Sequence, residues 1–144
     1  MPLLDKRLLF VTGKGGVGKT SVATALAVLA AARGKRMLLC EADGKGDLAQ
    51  VLETAPLQFE PREVLPRLHA MAMDTEASLR EYLRLQLRVP LLTRLGPLAR
   101  TFDFVATAAP GVREILTVGK LAYEVREEHY DLVVVDSAAT GHVV

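Results

Sequence analysis

The sequence predicts an α/β fold, a doubly wound and mostly parallel sheet, and three observations carry that expectation. Short apolar runs of strand length end at a glycine or a carboxylate, as buried parallel strands do. Alanine- and leucine-rich stretches with helical spacing lie between them. A glycine-rich turn joins the first strand to the first helix.

The first strand is read at residues 7–12 (RLLFVT), which stop at Gly13. Residues 20–33 form an apolar helix ending at Gly34, a residue suited to the left-handed cap of a helix C-terminus. Residues 35–40 (KRMLLC) make the second strand, so strand, loop, helix and strand compose a βαβ unit. From Gly44 to Pro66 the pattern is mixed and broken by Pro56, Pro61 and Pro66. The third strand is read at His69–Met73, followed by a helix capped by Asp74 with an apolar face of Leu79, Tyr82, Leu83 and Leu87. Arg80, Arg84 and Arg88 repeat on another face, read as a solvated stripe. Residues 91–107 read as helical with a break at Gly96-Pro97. Pro110 opens a further helix with Ile115, Leu116, Gly119, Ala122 and Tyr123 on one side. Residues 130–136 (YDLVVVD) give the last of four parallel strands. Residues 75–126 are thus a helical insertion between strands 3 and 4.

Composition narrows the function. The chain has 144 residues, half of them apolar, with a net charge of +1, which fits a globular domain with a real core. So even a charge balance offers nothing to a nucleic acid. Cys40 is the single cysteine, which excludes an intrachain disulfide, and no signal peptide or apolar run of membrane-spanning length is visible. A cytoplasmic location is expected.

The chemistry concentrates at Gly13-Lys14-Gly15-Gly16-Val17-Gly18-Lys19-Thr20, which satisfies G-x-x-x-x-G-K-[ST] between a strand and a helix. Successive main-chain amides can converge on phosphate oxygens only where the backbone is bare and free to turn. The helix that follows adds unpaired N–H groups and its dipole. Lys19 is expected at the β- and γ-phosphates, the Thr20 hydroxyl on Mg²⁺, and Val17 and Ser21 as backbone or hydroxyl contacts. Asp136 closes an apolar strand, placing a carboxylate near Mg²⁺ or its waters. Lys14 is a second cation in a loop already served by Lys19. Charge crowding there is tolerable only with a nucleotide close by, unless Lys14 is merely solvated.

The stretch KGGVGKT, residues 14–20, resembles the deviant Walker A motif of the MinD, ParA, nitrogenase iron protein and arsenite-pump ATPases. DSAATGH, residues 136–142, resembles the D-T-A-P-T-G-H signature of the arsenite-pump and tail-anchored-protein-targeting ATPases, with Ser137 and Ala139 departing from it. AAPGVREILTVGK, residues 108–120, is similar to a segment of their bacterial anion-transporting-ATPase-like members. The resemblance implies a P-loop NTPase of the SIMIBI type that hydrolyses Mg-ATP as a homodimer or a dimer with a related chain. Lys14 would then reach the partner's nucleotide. Asp43, in the first switch loop, would orient the attacking water, with Asp47 as its rival. Asp43, Asp136, Thr140, Gly141 and His142 would form the switch that reports nucleotide state, with His142 anchoring its loop. A membrane-protein client or a transporter is the implied partner, and no nucleic acid is expected. The arsenite pumps bind metalloid through cysteines, whereas Cys40 falls in a buried strand. Glu41, His69 and His129 read as ordinary strand- or helix-end residues. Family members are much longer, so residues 1–144 are expected to be the N-terminal part of one ATPase domain, with an apolar sheet edge left uncovered. A MinD- or ParA-like positioning ATPase and a non-hydrolysing nucleotide-binding module are the alternatives.

Overall fold

The computed structural model describes residues 2–87 and 112–137. Five strands form one sheet in the order β1-β5-β2-β4-β3. They are β1 (Leu8–Val11), β2 (Met37–Glu41), β3 (Arg62–Leu65), β4 (Leu68–Ala72) and β5 (Leu132–Asp136). The four strands expected from their apolar runs pair in parallel. The mixed stretch before Pro66 departs from expectation in two ways. It holds a short helix, α2 (Asp47–Val51), and an edge strand, β3, antiparallel to β4 through a tight turn at Pro66-Arg67. Arg67 takes a φ of 64° in that turn. β3 is two charged residues, Arg62 and Glu63, followed by Val64 and Leu65, and stays mostly exposed, so it lacks the unbroken apolar run that marks the central strands. The helical segment follows the expected third parallel strand, which is β4 once the edge strand is counted, and precedes β5.

The central strands are buried because their side chains meet apolar neighbours on both faces. All of β2 and β5 is buried. The helix α1 (Lys19–Ala32) lays Ala23, Ala27 and Ala30 against the sheet, all fully buried. Alanine at this spacing lets the helix backbone approach closely, and Leu39, Leu68, Leu132 and Val134 fill the core beneath it. Arg36 and Asp131 clamp the starts of β2 and β5: the Arg36 amide and guanidinium both donate to the Asp131 carboxylate, at 2.8 and 2.9 Å. That pairing holds Asp131 below the usual carboxylate range. Among the described strands β1 and β3 lie at the two edges of the sheet, and Phe10 of β1 is half exposed.

Residues 74–123 form a second compact unit. It holds α3 (Thr75–Leu87) and most of α4 (Val112–Arg126). Asp74 caps α3 as expected, accepting from the Ala77 amide at 2.8 Å. Arg80 pairs with Glu76 one turn away, the solvated pattern anticipated for that stripe. The buried face of α4 differs from the expected one. Leu116, Leu121 and Glu124 are buried, whereas Ile115, Gly119 and Ala122 are exposed. Lys120 is drawn inside to an ion pair with Glu81 at 2.9 Å. The helix expected over residues 91–107, Arg88 and Pro110 lie outside the described residues. No described helix is long and apolar enough to cross a membrane.

Candidate functional site

Three segments meet at the carboxyl edge of the sheet. The loop after β1 carries Gly13–Thr20, β5 ends at Asp136 beside Val11, and β2 ends at Glu41 beside Asp136. The topology explains the meeting. β5 lies between β1 and β2, and α1 spans from one to the other, so the crevice opens where strand order reverses.

Left-handed backbone shapes the loop. Gly16 and Gly18 have φ of 76° and 91°, where a Cβ is strained even though open space surrounds both. Gly18 caps α1 with no side-chain acceptor, so the first-turn amides of α1 have no cap of their own. Lys14, Gly15, Gly16, Val17 and Gly18 are exposed, and Ser21 sits exposed on the first turn of the helix. The Lys19 stem passes over Gly13, where an added Cβ would lie 3.6 Å from it and 3.2 Å from Val17. Its ammonium then donates to the Lys14 carbonyl at 3.4 Å. The cation therefore arches back over the turn.

Thr20 is the junction of the site. Its hydroxyl donates to Asp136 Oδ2 at 2.6 Å, and its carbonyl accepts from the Thr24 hydroxyl at 2.7 Å. Asp136 is only 5% exposed. Burial pushes its pKa up, and nearby Asp43 and Asp47 push the same way, against the Thr20 hydrogen bond and the Lys19 charge. An ionised carboxylate in this setting favours an added cation. The hard oxygen pair of Thr20 and Asp136 fits Mg²⁺. Among the described residues no three His, Cys, Asp or Glu side chains gather as a metal cluster. Mg²⁺ here would take its remaining ligands from phosphate oxygens and water, its usual habit in phosphoryl-transfer sites.

Asp43 stands in the loop after β2, accepting from the Lys45 amide at 3.3 Å, with the Lys45 ammonium 4.0 Å away. Asp47 opens α2, and both carboxylates act on Asp136, so the geometry leaves the two as rivals. Thr140, Gly141 and His142 lie outside the described residues. Cys40 is fully buried in β2, away from solvent. His129 pairs with buried Glu124 at 2.8 Å, and His69 packs edge-on to Tyr130. Glu41 ends β2, as read from sequence, and makes contacts that the sequence does not show. It is 1% exposed and accepts from the amides of Gly46 and Leu48, both at 3.3 Å. A carboxylate ending an otherwise apolar strand, a few residues before a Gly-Asp-Leu helix start, was the available signal.

The sequence matches the anion-transporting ATPase family over residues 6–144. The chain belongs to this family. Similar proteins include the ATPase BagA of Mycobacterium tuberculosis, 34% identical over 95% of this chain and 44% of the relative. A putative arsenical pump-driving ATPase of Aquifex aeolicus is 33% identical over 96% of this chain and 47% of its own length. The ATPase get3 of Schizosaccharomyces japonicus is 32% identical, over 94% and 41%. The chain thus spans less than half the length of these relatives. The family places the loop–helix–strand arrangement in the P-loop class of the mostly parallel α/β fold.

Proposed function

We propose that this chain is the phosphate-binding half of a Mg-ATP hydrolase whose nucleotide cycle drives a conformational switch. The observation that carries the reading is the 2.6 Å hydrogen bond joining Thr20 at the helix start to Asp136 at the strand end. That contact pairs the two oxygens a phosphate-bound Mg²⁺ needs, directly beside a bare glycine turn. Membership of the anion-transporting ATPase family supports it.

The roles follow from charge. Main-chain amides of residues 15–20 and the α1 dipole take the phosphate oxygens. Lys19 swings from the Lys14 carbonyl onto the β- and γ-phosphates, where a full anion replaces a weak neutral acceptor. Thr20 and Asp136 would hold Mg²⁺, which neutralises charge on the phosphates when bound. Asp43 leaves Lys45 and orients the water for in-line attack. Lys14 projects from the exposed side of the loop and serves the nucleotide of a second protomer, completing the charge stabilisation. Thr140, Gly141 and His142, with Asp43 and Asp136, pass the loss of γ-phosphate to the helical segment. The relatives named for arsenical pump driving and as get3 fit a membrane-bound transporter or membrane-protein client as the partner.

Asp43→Asn tests the reading. Mg-ATP affinity stays within about twofold, while the hydrolysis rate falls by about a hundredfold or more, as for loss of a positioned water ligand. Hydrolysis at the parent rate would contradict it.

A further inference from the structure

The loop after β2 is held at one end by the sheet. The Ala42 amide donates to the Asp136 carbonyl at 3.0 Å, and the Glu41 carbonyl accepts from the Met73 amide at 2.8 Å. Its other end is held by a side chain. Glu41 Oε2 accepts from the Gly46 amide and Oε1 from the Leu48 amide, spreading one carboxylate across the start of α2. Between the two moorings lie only residues 43–45, with Gly44 and Gly46 both at left-handed φ, 66° and 86°. Asp43 sits on this short span.

We propose that Glu41 is a positioning residue for hydrolysis, fixing the far end of the loop so that Asp43 is presented from a rigid base. This rests on the hydrolysis reading above, in which Asp43 orients water. A charge is costly at this depth, since burial opposes the ionised form of Glu41 and Asp43 adds to that opposition. An apolar side chain would avoid that cost but leave the Gly46 and Leu48 amides without their acceptor. What an apolar side chain cannot do is accept from two amides at once. The charge therefore serves loop geometry and not core stability, and its loss shows in turnover more than in binding or folding.

Glu41→Met and Glu41→Gln, made in the full chain beside Asp43→Asn, test this through kcat, Mg-ATP affinity, thermal midpoint and amide exchange. Methionine keeps length without accepting; glutamine keeps shape and one acceptor oxygen. Both variants keep Mg-ATP affinity within about twofold and lose about tenfold or more in kcat, methionine the more. The Gly46 and Leu48 amides exchange faster while β2 and β5 stay protected, and both variants stay folded, their thermal midpoints within a few degrees of the parent. Full kcat with those amides loosened overturns the proposal, as does a fall in affinity as large as the fall in kcat. If Asp43→Asn hydrolyses normally, the hydrolysis reading itself fails. If Asp43→Asn is inactive while both Glu41 variants turn over normally, only the role of Glu41 fails.

Discussion

Asp136 places a carboxylate where burial opposes its charge. It ends a strand whose other side chains are all apolar, and its carboxylate is buried with Thr20 as hydrogen-bond donor. Its pKa is raised above the ordinary 3.8, chiefly by burial, and that of Glu41 above 4.5 for the same reason. In both cases the folded chain binds the proton more readily than the unfolded chain. The contribution of these two groups to stability without ligand is therefore fullest at acid pH and falls as pH rises from the ordinary carboxylate range through the raised values, opposite in sign to that of the Arg36-paired Asp131. Asp136→Asn removes its part of that slope and keeps an acceptor for Thr20. Without nucleotide the variant gains about 1 kcal/mol at neutral pH, a few degrees in thermal midpoint, yet loses Mg-dependent turnover. Thermal melts between pH 4 and pH 8, on the scale of carboxylate titration, read this directly. That Thr20 and Asp136 share one site was legible in sequence because a fixed motif and a strand-end carboxylate mark them, and the two side chains do meet. The contacts of Glu41 were not, since only the folded loop brings the Gly46 and Leu48 amides to its carboxylate.

At the scale of elements, apolar periodicity placed the parallel strands to within a residue or two, because strands buried on both faces admit few polar side chains. It failed where burial is achieved by pairing. α4 buries Lys120, whose ammonium meets both Glu81 oxygens at 2.9 and 3.2 Å and lies 5.9 Å from the Tyr123 ring. A reading that assigns charge to solvent turns the helix the wrong way. Lys120→Ala leaves Glu81 without its cation in a poorly solvated site and costs about 3 kcal/mol in the helical unit. The double replacement Glu81→Leu with Lys120→Met recovers most of that loss. Hydrogen exchange in α3 and α4 measures both. The edge strand β3 is not marked by its sequence for a related reason: mostly exposed and half charged, it lacks the apolar run that identifies a buried strand.

For the whole molecule, sheet order does the work of assembly. Interposing β5 between β1 and β2 brings Thr20, Asp136 and Asp43 to one edge although they lie far apart in sequence. The βαβ unit was readable from sequence, but the strand between its two strands was not, because local pattern carries no information on lateral order. The central claim is that this edge, with its bare glycine turn and Lys19, grips a polyphosphate. Equilibrium titration of Mg-ATP into the full chain and into Lys19→Ala tests it most directly. The account predicts saturable binding by the parent chain and an affinity lower by about tenfold or more in the variant, the loss of one charge-assisted phosphate contact. Equal affinity in the two, or no saturable binding by the parent, would contradict it.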